Sequence, residues 1–169
     1  MLTIYLAGAI RDNNKADEQW RNHMTKACAY LHDRVRVLNP LAGNVFDKGI
    51  WSVGGKPNTI EYLLHKNLWA VSQADVIIFN FLAMTEGYPC IGTLIEFGYS
   101  LSKPILRFVI LPSTYTGHDN KAMYKLHPFI QHNASQQFET VPECGKFLKE
   151  YLPVMLGEAS VTNLYGKEK

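Results

Sequence analysis

Residues 92–100 read GTLIEFGYS and follow a nearly continuous apolar segment, residues 75–81, which reads DVIIFNF. The apolar segment predicts a central strand covered on both faces, and residues 92–100 predict the start of the helix that follows it. Gly92 would allow the backbone to approach a ligand closely. In an open α/β sheet such a strand-to-helix turn lies at the carboxyl edge, where ligands bind.

Glu96 lies near the start of this predicted helix, and two interpretations of it are open. Thr93 is a plausible N-cap, and its three-residue spacing to Glu96 fits a capping box in which Glu96 only stabilises the helix. Alternatively, Glu96 faces the crevice at the carboxyl edge, where the positive helix terminus favours an ionised carboxylate. A carboxylate in that place can attack a sugar carbon.

Strands and helices alternate along the rest of the chain. Strands are predicted at residues 3–9, 35–38, 75–81, 105–111 and 138–141, and helices at residues 15–32, 59–72, 92–102, 121–131 and 142–152. Asp12 or Asn14 can cap the first helix, Thr59 can cap the second, and Pro142 suits the first turn of the last. This alternation predicts one doubly wound α/β domain over residues 1–156, with a C-terminal tail over residues 157–169 that is loose or used in assembly.

Three stretches are predicted as loops: residues 39–58, 82–91 and 112–120. The first is the longest and is interrupted by several glycines and prolines. A long loop in a small domain is usually functional, so the aromatic residues of this stretch could fold down as a lid. The alternative is a surface loop whose aromatic residues pack on its own domain or on another subunit.

Composition and charge exclude several classes of protein. The chain has 169 residues, 47% of them hydrophobic, and a net charge of +2 without a clustered basic face, so nucleic-acid binding is not expected. The three cysteines, Cys28, Cys90 and Cys144, are predicted to be reduced thiols of a cytoplasmic protein. We find no signal-peptide pattern and no apolar run of about 20 residues, so no membrane span is expected.

No cofactor is predicted. The six histidines show no metal-binding spacing, and Cys28 and Cys144 have no nearby second cysteine, so no metal site is expected. A Walker A motif is absent, and no GxGxxG sequence follows the first predicted strand. Nucleotide hydrolysis by a P-loop and hydride transfer from NAD are therefore poorly supported.

Two segments carry a resemblance to a known family. Residues 74–78 (ADVII) precede the pattern Gly-Thr-x-x-Glu-x-Gly-Tyr-Ser at residues 92–100, and residues 4–11 read IYLAGAIR. Together they resemble the nucleoside 2-deoxyribosyltransferase family, which includes the related 2'-deoxynucleoside 5'-monophosphate N-glycosidases. The resemblance covers roughly residues 3–110 in the right order.

The resemblance, with right-handed crossovers, implies a flavodoxin-like sheet of about five parallel strands in the order 2-1-3-4-5. In that order the two segments meet at the crevice between strands 1 and 3. The expected substrate-binding residues are Gly8, Ile10, Arg11, Gly92 and Thr93. The resemblance also implies that Glu96 is the nucleophile and that Tyr5 contacts it, although Tyr5 could equally be an ordinary strand residue.

The sequence departs from the family pattern at two positions. Asn67 stands where many members carry an acidic residue that hydrogen-bonds the base, and an amide cannot deliver a proton as a carboxylic acid does. Asn67 is therefore either a base-contacting member of the catalytic set or an inconsequential helix residue. Cys90 stands where members often have Asp or Ser near the sugar 5' end. Arg11 is either a phosphate ligand or a solvated loop residue, and Asp75 is expected to be structural.

The leading functional prediction is an enzyme that moves 2-deoxyribose between nucleobases through a covalent Glu96 intermediate, in nucleotide salvage. Its partners would be a deoxynucleoside or deoxynucleotide and a free nucleobase. One alternative is an N-glycosidase that hydrolyses 2'-deoxynucleoside 5'-monophosphates. Another is a catalytically inactive nucleotide-binding domain. The resemblance further implies a homo-oligomer.

Overall fold

The structure is a computed structural model that describes residues 1–11, 14–41, 44–47, 50–53, 56–57, 59–112, 114–116, 122–125 and 127–158. Its strands are β1 (Leu2–Gly8), β2 (Val35–Leu38), β3 (Asn44–Asp47), β4 (Ile50–Val53), β5 (Lys56–Pro57), β6 (Val76–Asn80), β7 (Leu106–Ile110), β8 (Thr114–Thr116), β9 (Ala122–Lys125) and β10 (Gln136–Phe138). Its α-helices are α1 (Lys15–Cys28), α2 (Ile60–Gln73), α3 (Ile91–Ser100), α4 (Pro128–Asn133) and α5 (Val141–Met155), and 3₁₀ turns span Ala29–Arg34 and Leu82–Glu86.

Five parallel strands form the main sheet, in the spatial order β10-β7-β6-β1-β2. Numbered along the chain within this sheet, the order is 2-1-3-4-5, and the predicted flavodoxin-like α/β fold is confirmed. The chain leaves β1 toward β2 on one side and returns to β6 on the other. Gly8 at the end of β1 is paired with Asn80 at the end of β6. The crevice of the fold therefore lies beside Gly8.

The two faces of the sheet are covered by different helices, and β1 shows how the sequence achieves this. Ile4 and Leu6 belong to a core shared with α1 and α5, whereas Tyr5 and Ala7 belong to a core shared with α2 and α3. Successive side chains of a strand point to opposite faces, so a strand buried on both faces is apolar throughout. The exception is Tyr5, whose hydroxyl enters a buried site described below.

Several predicted local signals are confirmed. Asn14 caps α1 by accepting from the Ala16 N–H at 2.9 Å, and Thr59 caps α2 by accepting from the Tyr62 N–H. Pro142 lies in the first turn of α5. Asp75 is structural, since its Oδ2 accepts from the Thr3 N–H at 2.8 Å near the amino ends of β1 and β6.

Other local predictions are wrong. Helix α1 ends at Cys28 and continues as a 3₁₀ turn, instead of extending to residue 32. The predicted loop at residues 39–58 contains β3, β4 and β5, which form a small antiparallel sheet. The predicted loop at residues 82–91 begins with the 3₁₀ turn Leu82–Glu86, and the fifth strand of the main sheet ends at Phe138 rather than starting there. The frequent glycines and prolines of residues 39–58 concealed strands too short for a clear period.

The region after β7 also differs from the prediction. Strands β8 and β9 pair as an antiparallel ribbon in place of a polar loop and the start of a helix. Among its described residues, the predicted helix at residues 121–131 is helical only over residues 128–131, because α4 begins at Pro128 after a cap by His127. The tail from residue 159 lies outside the described residues, so its predicted role in assembly stays a prediction.

Two further properties concern the chain as a whole. Cys28, Cys90 and Cys144 are free and buried. Within the described ranges, no helix combines the length and the apolar character needed to cross a membrane.

Candidate active site

Glu96 lies on the second turn of α3 and is only 6% exposed. The Tyr5 hydroxyl, which comes from the adjacent β1, donates a hydrogen bond to Glu96 Oε1 at 2.9 Å. Asn67 on α2 lines the same cavity as Glu96, and its amide acts on the pKa of the Glu96 carboxylate. The structure thus brings together the three residues that the sequence predicted as the catalytic set, from three different elements.

The capping-box interpretation of Glu96 is wrong. Helix α3 begins at Ile91, so Thr93 lies inside the first turn, where it is buried and is not the N-cap. The N-cap is Cys90, in the left-handed conformation with φ 47°, and its side chain makes no capping hydrogen bond within the described structure. A left-handed non-glycine residue is strained, and such strain concentrates at functional sites.

A cavity of about 260 Å³ opens beside the Glu96 carboxylate. It lies at the carboxyl edge of the sheet, between the segment after β1 and the start of α3. Of the predicted site residues, those that line it are Gly8, Ile10, Asn67, Gly92, Thr93 and Glu96. Tyr88, Pro89, Cys90 and Ile91 complete the wall on the α3 side. The two sequence segments that carried the resemblance therefore meet in one cavity, as predicted.

Burial dominates the electrostatics of Glu96. It raises the pKa of the carboxyl to about 7, against the lowering effects of the Tyr5 hydrogen bond, the positive charge of Arg21 and the nearby Asn67 amide. Burial and the neighbouring carboxylate also raise the pKa of Tyr5 well above its usual value, so Tyr5 is a neutral donor. The Glu96 carboxyl is consequently harder to ionise than an exposed one, and its hydrogen-bond donor, Tyr5, is neutral.

Arg11 lies beside the cavity and is held by acidic residues. Asp17 Oδ2 accepts from the Arg11 backbone N–H at 2.8 Å and from its Nε at 3.0 Å, and Asp17 Oδ1 accepts from a terminal nitrogen at 2.7 Å. The other terminal nitrogen pairs with Glu86. The hydrogen bonds that Arg11 donates to Asp17 are the main reason that the pKa of Arg11 is raised. Arg11 does not appear on the wall of the Glu96 cavity in the described structure, and its predicted contact with substrate stays a prediction.

Gly8 and Gly92 differ in what an added Cβ would meet. A Cβ on Gly8 would lie 2.7 Å from Cζ2 of Trp20, so the glycine makes room for an indole ring. Gly8 also lines the cavity, and its predicted contact with a substrate stays a prediction. A Cβ on Gly92 would meet no described atom within 4 Å. Packing therefore does not require a glycine at position 92, and its predicted role at a ligand stays a prediction.

Sequence reasoning missed the residues of α1 that hold the wall of the site. Arg21 is completely buried and donates to the carbonyl oxygens of Gly8 at 2.8 Å and Ala9 at 3.1 Å. Asp17, one turn earlier, holds Arg11 as described above. The spacing of four residues between Asp17 and Arg21 could have indicated a shared helix face. Because both residues are charged, hydrophobic patterning gave no sign that this face is buried.

A second cavity, of about 320 Å³, lies on the α1 side of the same sheet edge. Its lining includes Arg11, Asp17, Trp20, His23 and Glu86. The carboxylates of Asp17 and Glu86 are already paired with Arg11. In the part of the chain that the structure describes, no group of three or more His, Cys, Asp or Glu residues could hold a metal ion, and the expectation of no cofactor stays a prediction.

Comparison with known proteins agrees with this geometry. No curated protein matches the chain. Among ten solved chains that do match, a conserved protein from Enterococcus faecalis V583 is 13% identical with a TM-score of 0.65, over 89% of this chain and 98% of that one. A 2-desoxiribosyltransferase from Leishmania mexicana is 18% identical with a TM-score of 0.57, over 89% of this chain and 99% of that one. Identities this low show the shared fold alone.

The family comparison goes further than the fold. The model of the family described as nucleoside 2-deoxyribosyltransferase like matches residues 1–115, which include β1, α2, α3 and every predicted site residue. Membership implies a deoxyribosyl-transferring enzyme with nucleoside or nucleobase substrates. The chain belongs to the nucleoside 2-deoxyribosyltransferase-like family.

Proposed function

We propose that the protein is a nucleoside 2-deoxyribosyltransferase that moves 2-deoxyribose between nucleobases through a covalent ester on Glu96. The observation that carries the proposal is the buried Glu96 carboxylate, held by Tyr5 and flanked by Asn67 at the wall of the cavity in the sheet crevice. A carboxylate so placed can stabilise an oxocarbenium-like centre or bond to it.

In the first step, a Glu96 oxygen attacks C1' of the deoxynucleoside. The C1'–O bond forms as the C1'–N bond breaks, and the leaving base takes the electron pair and a proton. Asn67 cannot supply that proton, because an amide is not an acid in this range. The proton therefore comes from water or from another group. The Tyr5 hydrogen bond orients the carboxylate during attack.

In the second step, a nitrogen of the acceptor base attacks C1' of the ester. The C1'–O bond breaks, the Glu96 carboxylate is regenerated, and the acceptor loses a proton. Attack by water in place of the base would give free 2-deoxyribose. Transfer and hydrolysis thus share the first step and differ only in the acceptor.

The surroundings of Arg11 favour an unphosphorylated substrate over a 5'-monophosphate. The described residues that line the Glu96 cavity include no Lys or Arg. Arg11, the nearest candidate, already binds two carboxylates, so the three side chains together are negatively charged. A phosphate dianion prefers a guanidinium with free donors. Hydrolysis of monophosphates is therefore the less supported alternative.

A homo-oligomer is also proposed, on the basis of an apolar stripe on α3. Ile91, Ile95 and Tyr99 recur every four residues and are 62%, 49% and 39% exposed. Ile91 also lines the cavity, so a second copy of the chain bound on this stripe would lie next to the site. Light scattering of the purified protein measures its mass in solution and so tests for the oligomer.

The salvage role and the cytoplasmic location stay predictions.

The test of the proposed function is a transfer assay with each 2'-deoxynucleoside and its 5'-monophosphate, with and without adenine or cytosine as acceptor. The proposal expects a new deoxynucleoside only when an acceptor is present, and no such product with Glu96→Gln. Free base from monophosphates without acceptor would establish the hydrolase instead. Ligand-induced thermal stabilisation without any product would indicate a binding domain.

A further inference from the structure

Arg21 on α1 has an environment that is unusual for a buried cation. Its side chain has no exposed surface. Its hydrogen bonds go to three backbone carbonyl oxygens, those of Gly8, Ala9 and Asp17. None of the ion pairs found among the described residues includes Arg21, and no described atom accepts from its Nε. Its guanidinium stacks over the Trp20 ring at 4.7 Å.

Such an arrangement is a poor way to stabilise a fold. A buried guanidinium loses its hydration, and carbonyl dipoles compensate a full charge less well than a carboxylate does. Burial accordingly lowers the pKa of Arg21 to about 10, although it stays protonated at neutral pH. An apolar side chain of similar volume would fill the same space without that cost. A function of the charge or of the hydrogen bonds would explain why the cation is there.

Both the hydrogen bonds and the charge of Arg21 act on the Glu96 site. The carbonyl groups that it binds belong to Gly8 and Ala9, which line the cavity opposite α3. Its unpaired positive charge acts on the Tyr5 hydroxyl and on the Glu96 carboxylate. We propose that Arg21 is a positioning residue for this site, which fixes the loop wall of the cavity and supplies the buried positive charge near the Tyr5–Glu96 pair.

The other groups around Glu96 show why its ionisation depends on the charge of Arg21. Tyr5 on β1 is a neutral donor, and Asn67 on α2 does not titrate in this range. Strand β6, which also packs on α3, carries no ionisable side chain. Among the described residues, Arg21 is thus the one full positive charge that favours ionised Glu96. Without it, burial would hold more of the carboxyl in its protonated, non-nucleophilic form.

Two substitutions separate the charge from the geometry. Arg21→Lys keeps a positive charge but lacks the fork that binds two carbonyl groups, and Arg21→Gln removes the charge. The titration of Glu96 would be followed by ¹³C NMR of protein labelled at its glutamate carboxyl carbons, with Glu96→Gln assigning the signal. This measurement requires no turnover, so it does not depend on the proposed function, on which the kinetic part rests.

We expect the Glu96 midpoint near pH 7 in the wild type and in Arg21→Lys, and about one pH unit higher in Arg21→Gln. In the transfer assay, kcat of Arg21→Lys should fall about tenfold at all pH values, because the loop wall is less well held. The loss in Arg21→Gln should be greater at pH 6 than at pH 8. If Arg21→Gln does not fold, Arg21→Met takes its place, since an apolar side chain suits the buried position.

Equal Glu96 midpoints in the wild type and the neutral variant would overturn the electrostatic part of the proposal. Wild-type kcat in Arg21→Lys would overturn the positioning part. If the midpoint moves as expected but the wild type transfers no deoxyribose, the proposed function fails while the electrostatic role of Arg21 stands. The two ideas can therefore fail separately.

Discussion

Asp17 and Glu96 are two carboxylates with nearly the same burial, 5% and 6% exposed, on opposite sides of the segment that follows β1. Asp17 binds the guanidinium and the backbone N–H of Arg11, so its charge is neutralised in an ion pair. Glu96 accepts from the neutral Tyr5 hydroxyl, and the cation that acts on its pKa, Arg21, is occupied by carbonyl groups. The comparison shows that the partners of a buried carboxylate, more than its burial, decide whether it is structural or reactive.

The largest expected effect separates the two carboxylates by activity. Glu96→Gln removes the nucleophile and should lower kcat by about 10³- to 10⁴-fold. Asp17→Asn is the control matched for burial, and it should keep kcat within about tenfold because it touches no reacting atom. Both values would be measured by chromatography of the transfer products. Equal losses of kcat in the two variants would show that Glu96 is no more reactive than a structural carboxylate of the same burial.

The second prediction distinguishes Glu96 from Asp17 by the free energy of unfolding of their variants. Burial raises the pKa of Glu96 from 4.5 to about 7, so protonated Glu96 contributes stability that is present below pH 4.5 and lost as the pH rises through 7. Glu96→Gln should therefore be more stable than the wild type at pH 8, by up to about 3 kcal/mol, and little different at pH 4.5. Urea unfolding at the two pH values measures the difference.

Asp17→Asn provides the opposite sign in the same experiment. Removing the carboxylate breaks the ion pair with Arg11 and should destabilise the protein at pH 8, by about 2 kcal/mol. A stabilised Asp17→Asn, or a Glu96→Gln that is less stable than the wild type at pH 8, would contradict the assignment of one carboxylate to structure and the other to chemistry.

A smaller effect sharpens the account of Glu96 itself. The hydrogen bond from Tyr5 to Oε1 lowers the pKa of Glu96. Tyr5→Phe removes this bond and should therefore raise that pKa. The acid limb of the kcat/KM profile should therefore move to higher pH, and kcat should fall about 10- to 100-fold because the carboxylate is less well oriented. An unchanged acid limb would mean that Tyr5 is only a strand residue, as the sequence also allowed.

How much of this could be read from the sequence depends on the length of the pattern involved. The order of the five parallel strands and the meeting of Tyr5 and Glu96 followed from long apolar strands and from the two segments that resemble the family. Asn67 was included through its position in the family pattern. The strands β3–β5 and the ribbon β8–β9 are two to four residues long and have no clear period. Arg21 could not be predicted, because its partners are backbone carbonyl groups that only the folded chain brings near.

Gly8 is an instructive intermediate case, and it yields the smallest expected effect. Gly8 lines the cavity, and the structure adds a packing reason that the sequence did not show, since the missing side chain makes room for Trp20. Gly8→Ala should destabilise the protein by about 1–3 kcal/mol through overpacking. Gly98→Ala on α3, where an added Cβ meets no described atom within 4 Å, should instead stabilise it by about 0.5–1 kcal/mol. Thermal unfolding of both variants tests whether crowding or chain flexibility explains each glycine.

The most direct test of the central claim is to trap the covalent intermediate. A 2'-deoxy-2'-fluoro nucleoside carries an electron-withdrawing fluorine that destabilises the oxocarbenium-like transition state and slows turnover of the ester. Intact-protein mass spectrometry should show one fluorinated sugar added per chain, and peptide mapping should place it on Glu96, with no adduct in Glu96→Gln. An adduct on a different residue, or transfer activity undiminished in Glu96→Gln, would contradict the account.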